Sequence, residues 1–135
     1  MAGQEVDPAH EELLKQLRGV QLIVINTIYG GFDLSREAIL LYLELSGTEY
    51  HFCPQEDRER QTRLGDRIIV ENEEFYPRSI VRNDPALVAV VRRLGSKANG
   101  EYSKLKIVEV PAGVTWHVND YDGKEWIAEN HRTWR

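Results

Sequence analysis

The residues with most chemistry to offer lie at two places in the chain. One is Tyr29-Gly30-Gly31-Phe32, set between the apolar run LIVINTI and a helix-start signal at Ser35. The free amides and dipole of a helix N-terminus favour an anion, and glycines let backbone come close to a ligand. Ser35 and Arg36, just beyond the turn, would add a hydroxyl and a positive charge. The motif has neither the G-x-G-x-x-G spacing of a dinucleotide loop nor the Gly-Lys-Ser/Thr ending of a phosphate loop. Its plainer reading is a glycine corner between two packing aromatics, with Ser35 as an ordinary cap. Asn26 and Thr27 interrupt the apolar run just before the corner. A buried amide there has to find partners, loop backbone first and a ligand second.

The other place is DYDGKEWIAENHRTWR, which holds two of the three tryptophans, Trp126 and Trp134, beside His131 and Arg132. Read as a site, His131 and Arg132 are polar members of a pocket closed by Trp134. His131 then acts as acid or base, with Asp120 or Glu125 orienting it. Read as structure, the aromatics dock onto the body of the domain and remove apolar surface from water.

Weaker signals are soon spent. His51 and Cys53 share a strand face, but zinc needs a full tetrahedral ligand set and no second pair is present. Asp120 and Asp122 suggest paired carboxylates, yet Asp122-Gly123 is what a tight turn requires. No nucleophile elbow or metalloprotease motif occurs, so the sequence assigns no metal and no cofactor, and the catalytic question stays open.

The elements that would position these residues follow from pattern. Asp7-Pro8 opens a helix with a Leu13, Leu14, Leu17 stripe ended by Gly19, so residues 1–20 form a helical extension. LIVINTI is β-branched and apolar on both faces, as for a central strand covered on both sides. Ser35 caps a helix over Arg36–Leu45, and Leu34 and Ile39 suit a hydrophobic staple. EYHFC and RIIV are short strands on either side of the charged stretch at 54–66, a surface loop. ENEEFYPRSIVRN reads as irregular. Asp84 and Pro85 start the clearest helix, ending at Leu94 before Gly95. KLKIVEV and VTWHV are strands, and KEWIAE, after the Asp122-Gly123 turn, is a short strand first and a helical turn second. The expected fold class is α+β in one domain, with three helices packed on a mixed or antiparallel sheet of four to six strands.

Bulk properties set bounds. The 135 residues are 41% hydrophobic with a net charge of −5, which argues against nonspecific nucleic-acid binding. Cys53 is the single cysteine, in keeping with a reducing compartment. The N-terminus has no signal-peptide core, and the apolar run Leu22–Ile25 is far below the about 20 residues of a membrane helix. A cytoplasmic protein with no membrane or nucleic-acid partner is expected.

Three blocks, INTIYGGFDLS, RNDPALVAVVRRLGSKANGEYSKLKIVEVP and DYDGKEWIAENHRTW, resemble a family of small uncharacterised proteins of bacteria, phages and large DNA viruses. The resemblance covers most of the chain from about residue 22. It implies a unit ending at HRTW; with no activity attached to that family, it transfers no catalytic residue. The first functional reading is a small binding protein for an anionic or nucleotide-like molecule, its pocket near the YGGF corner and the HRTW tail. Its ligand-binding residues would be Asn26, Tyr29, Gly30, Gly31, Ser35, Arg36, His131, Arg132 and Trp134. The second is a protein-interaction module or homodimer, and the third an enzyme using His131.

Overall fold

Along the chain come β1 (Val20–Asn26), α1 (Arg36–Leu45), β2 (His51–Cys53), β3 (Arg67–Val70) and β4 (Glu73–Glu74). A 3₁₀ turn (Pro77–Ser79) precedes α2 (Pro85–Leu94), and a second (Gly95–Ala98) follows it. The chain then forms β5 (Leu105–Pro111), β6 (Trp116–Tyr121) and β7 (Lys124–Glu129). The computed structural model describes residues 19–54 and 66–130. The expected helix near Asp7 and residues 55–65 of the charged loop lie outside them.

Side chains alternate along a strand, and β1 uses both faces. Leu22 and Val24 enter a cluster with Leu87, Val88 and Val91 of α2. Ile23 and Ile25 enter a second cluster with Val110, Trp116 and Ile127. All four β1 residues are buried, each contributing about 1.5–3 kcal/mol relative to exposure. The strand is therefore the middle of three layers, with helices on one side and the β6–β7 ribbon on the other.

The helices start where their caps dictate. Ser35 Oγ accepts from Ala38 N at 3.1 Å, and Asp84 Oδ1 accepts from Ala86 N at 2.9 Å with Pro85 in the first turn. Tyr42 of α1 donates to Asp84 Oδ2 at 2.7 Å, tying the two helices at the start of α2.

The expectation of three helices on one sheet of four to six strands is overturned. Among the described residues there are two α-helices and seven strands, so the fold is mostly β. The strands form separate sheets of two, three and two, all antiparallel in pairing. The physical reason lies in two edges. β5 pairs back onto β1, from Val20↔Pro111 to Asn26↔Leu105. The chain then turns at Ala112, whose N–H donates to Gly19 O at 2.7 Å. β6 pairs with β7 instead, and this ribbon lies over a sheet face through Trp116 and Ile127 rather than extending its edge. On the opposite edge of β1, Val24 N donates to Arg82 O at 2.8 Å. A loop thus occupies the place of a third strand.

The stretch after β3, expected to be irregular, has more order than its composition suggests. Glu71 and Asn72 both have positive φ, at 51° and 67°, as a two-residue hairpin turn requires. They join β3 to the short β4 before the 3₁₀ turn at Pro77.

Candidate functional site

The site is built on Asn26, a fully buried polar residue at the end of β1. Its side-chain Nδ2 donates to Ile28 O at 2.7 Å and Gly123 O at 2.8 Å. Its Oδ1 accepts from Lys104 N at 2.9 Å. One amide therefore ties the YGGF corner, the start of β5 and the β6–β7 turn together. The loop-backbone role expected of it is the one seen, extended to two further segments.

The corner and the turn meet backbone to backbone. Gly30 N donates to Asp122 O at 2.9 Å. A Cβ on Gly123 would lie 2.1 Å from Gly31 N, and one on Gly30 would lie 2.6 Å from Tyr102 O. Both glycines also have φ values, +88° and +125°, that L-residues rarely adopt. Approach this close is possible only because Gly123 and Gly30 carry no side chain.

Beneath this contact sits a charged pair. Arg82 Nη1 and Nη2 donate to Glu125 Oε1 and Oε2 at 2.6 and 2.9 Å. Glu125 Oε1 also accepts Asn26 N at 2.8 Å. The Arg82 guanidinium lies 3.6 Å from the centroid of the Phe32 ring. The two charged side chains are 16% and 8% exposed, respectively, so the fork is held in a mostly dry setting where charge-assisted bonds are strong.

Above these groups opens a cleft of about 640 Å³. Gly30 to Asp33 form one wall, and Asp120, Gly123 and Glu125 of the β6–β7 hairpin another. Pro77 and Arg78 of the 3₁₀ turn, Tyr76 just before it, and Tyr102 form the rim. The Tyr76 hydroxyl donates to the Glu74 carboxylate, whose hydrogen bond and charge push the phenol above its usual pKa. Arg78 lies 5.9 Å from the Tyr76 ring centroid. Asp33 Oδ1 accepts Leu34 N at 2.9 Å. Asp120 Oδ2 accepts Gly123 N at 3.4 Å. Neither carboxylate has an ion pair among the described residues.

The sequence candidates separate into groups. Gly30 and Gly31 line the cleft, with Asn26 buried and bonded behind them. Tyr29 is exposed beside it, edge-on to Tyr121 at 6.4 Å, with Lys124 Nζ 5.6 Å from its ring centroid. Ser35 and Arg36 are not among the lining residues. Ser35 Oγ donates to Lys97 O at 2.6 Å while capping α1, and Arg36 Nη1 reaches Asp66 O at 2.8 Å. His131, Arg132 and Trp134 lie outside the described residues. Glu125, a candidate orienting group for His131, is bonded to Arg82 and Asn26.

Four participants carried no local signal: Arg82, Tyr76, Arg78 and Tyr102. Arg82 and Glu125 stand 43 positions apart, beyond any helical or strand spacing. Cys53 and His51 lie elsewhere, on β2, where Arg67 Nη2 approaches Cys53 Sγ at 3.4 Å. Among the described residues no group of three or more His, Cys, Asp or Glu is placed to hold a metal ion, and no helix is long and apolar enough to cross a membrane.

No protein-family model, curated protein or solved structure matches the chain. The functional reading therefore rests on the residues themselves.

Proposed function

We propose that this protein binds a small polar, nucleotide-like molecule in the cleft between the YGGF corner and the DYDG hairpin. The observation that carries the reading is the cleft's construction. Its volume falls within the range of about 300–1,000 Å³ typical of small-molecule sites. Its glycine walls are held in place by Asn26 and the Arg82–Glu125 pair, while Asp33, Asp120, Tyr76 and Tyr102 face the opening with bonding capacity left over. Arg78 at the rim supplies a positive charge for any anionic part of the ligand. The HRTW tail, an expected wall of the pocket, lies outside the described residues.

Native mass spectrometry of protein purified from cells tests the proposal. A mass excess lost on denaturation, together with a rise in melting temperature on adding back the identified compound, is the expected result. A bare mass and no thermal shift across a broad metabolite library would refute it.

A second reading has its own observation. Tyr29 and Tyr121 are 60% and 66% exposed and touch on the outer side of the β6–β7 hairpin, on the face that also carries the exposed Trp126. This face suits an interaction module or homodimer. Light scattering that gives a dimer, reduced to a monomer by Tyr121→Ser with Trp126→Ser, would put this reading first.

A further inference from the structure

The cleft presents an arginine in an unusual posture, and that posture selects a ligand shape. Guanidinium groups are planar and stack on flat rings. Arg82 has one face covered by Phe32 at 3.6 Å from the ring centroid. Its edge is fixed by the two-point bond to Glu125 at 2.6 and 2.9 Å. It still lines the cleft, with 16% of its side chain exposed. A side chain held on one face and along one edge is a fixed plane in the cleft wall. Planar bases stack on arginine planes and on aromatic rings alike, and Tyr76 and Tyr102 stand at the rim.

The polar groups of the walls narrow the choice further. Ionised carboxylates only accept hydrogen bonds. Asp33 and Asp120 each have one oxygen turned to a backbone N–H, Leu34 and Gly123 respectively. The second oxygen of each has no hydrogen bond among the described residues. The charges of Arg82 and Glu125 cancel, so the acceptors left on the walls are those of Asp33 and Asp120, while Arg78 and Tyr102 bring donors at the rim.

We infer that the occupant is a nucleobase-bearing molecule whose flat ring stacks on Arg82 and whose exocyclic amine meets the carboxylates of Asp33 and Asp120. This rests on the reading of the cleft as a ligand site and adds the class of ligand.

The test is nuclear magnetic resonance titration with adenosine, cytidine and guanosine. Uridine and purine riboside, which lack the amine, and ribose, which lacks the ring, serve as controls. Expected is a saturable upfield ring-current shift of the Arg82 Nε–H signal, with shifts at Gly31 and Gly123, for at least one amino-bearing nucleoside. Binding of uridine and purine riboside should be weaker by tenfold or more, and ribose should give no shift. Asp120→Asn should weaken the amino-bearing nucleoside about tenfold while leaving purine riboside unchanged. Equal binding of ribose or of the amine-free compounds would overturn the inference. So would silence from every nucleoside while a metabolite screen finds another ligand at the same amides, an outcome that leaves the cleft reading intact. No ligand from either set would remove both.

Discussion

Replacing Glu125 by Gln removes a charge and little else, and it probes what holds the corner and hairpin together. In the wild type, Glu125 Oε1 receives Arg82 Nη1 at 2.6 Å and Asn26 N at 2.8 Å, and Oε2 receives Arg82 Nη2 at 2.9 Å. The amide retains one acceptor but turns a donor toward a guanidinium that is all donor. With side-chain exposures of 16% and 8%, water has little room to take over the lost bond. Leaving one member of a buried pair uncompensated costs about 3–5 kcal/mol, against about 0–1 for an exposed pair. Arg82 keeps some exposure and can turn partly toward solvent, which places the expected loss near the lower end, about 3 kcal/mol. With a urea slope of about 1.5 kcal/mol/M, the unfolding midpoint should fall by about 2 M. Adding Arg82→Met to Glu125→Gln removes the stranded charge and should recover more than half of the loss, a coupling measurable by a double-mutant cycle. A midpoint shift under about 0.5 M, equivalent to less than about 1 kcal/mol at that slope, would refute the argument. Arg82 would then be a surface arginine, and no rigid plane would line the cleft.

Further outcomes follow from the same geometry. Asn26→Ala strands Gly123 O, Ile28 O and Lys104 N at once; at about 1–3 kcal/mol for each buried group left unpaired, the loss in urea unfolding should be at least about 3 kcal/mol. Gly31→Ala meets no atom within 4 Å but must hold φ at +110°, so it should cost about 1–3 kcal/mol. Gly30→Ala bears similar strain and a 2.6 Å approach to Tyr102 O, so its unfolding midpoint should be lower still; equal midpoints for Gly30→Ala and wild type would contradict the close packing. Burial, then the hydrogen bond and charge of Asp84, raise the Tyr42 pKa well above its ordinary value. The folded state thus holds that proton more tightly than the unfolded chain. Stability from this group is complete below pH of about 10 and declines as pH rises further. Tyr42→Phe should flatten that alkaline decline in a series of denaturation midpoints.

Local chemistry was the readable part of this sequence. Ser35 before an apolar periodic segment, and Asp84-Pro85 before another, mark both helix starts because capping is decided within three residues. Asp122-Gly123 marks the β6–β7 turn for the same reason, since both residues must take positive φ. LIVIN also showed that β1 would be covered on both faces. What stayed hidden was which strand lies beside which. VTWHV alternates equally well as the next strand of a sheet or as a ribbon laid over its face, and the packing of Trp116 and Ile127 on Ile23 and Ile25 decides for the second. The two-residue β4 is too short for any periodicity to show.

The candidate site divides along the same line. YGGF announced itself as a corner, and the amide of Asn26 announced a need for partners. That the partner would be the DYDG turn could not be read, because a bond across 97 positions leaves no local trace. Arg82 was hidden more deeply, in a stretch without pattern, and gains its role only when Phe32 and Glu125 converge on it. The question raised by the double glycine has a structural answer: Gly30 and Gly31 make a corner that fits against Gly123, and the cleft is the space this fit leaves open.

The central claim is that this cleft is the place where a ligand binds. The most direct measurement is a map of backbone amide shifts on adding a low-molecular-weight cell extract to the isotope-labelled protein. The account predicts saturable shifts grouped at Gly30, Gly31, Tyr102, Asp120 and Gly123, with His51–Cys53 on β2 unmoved. Shifts confined to β2, or none in an extract that is metabolite-rich, would contradict it.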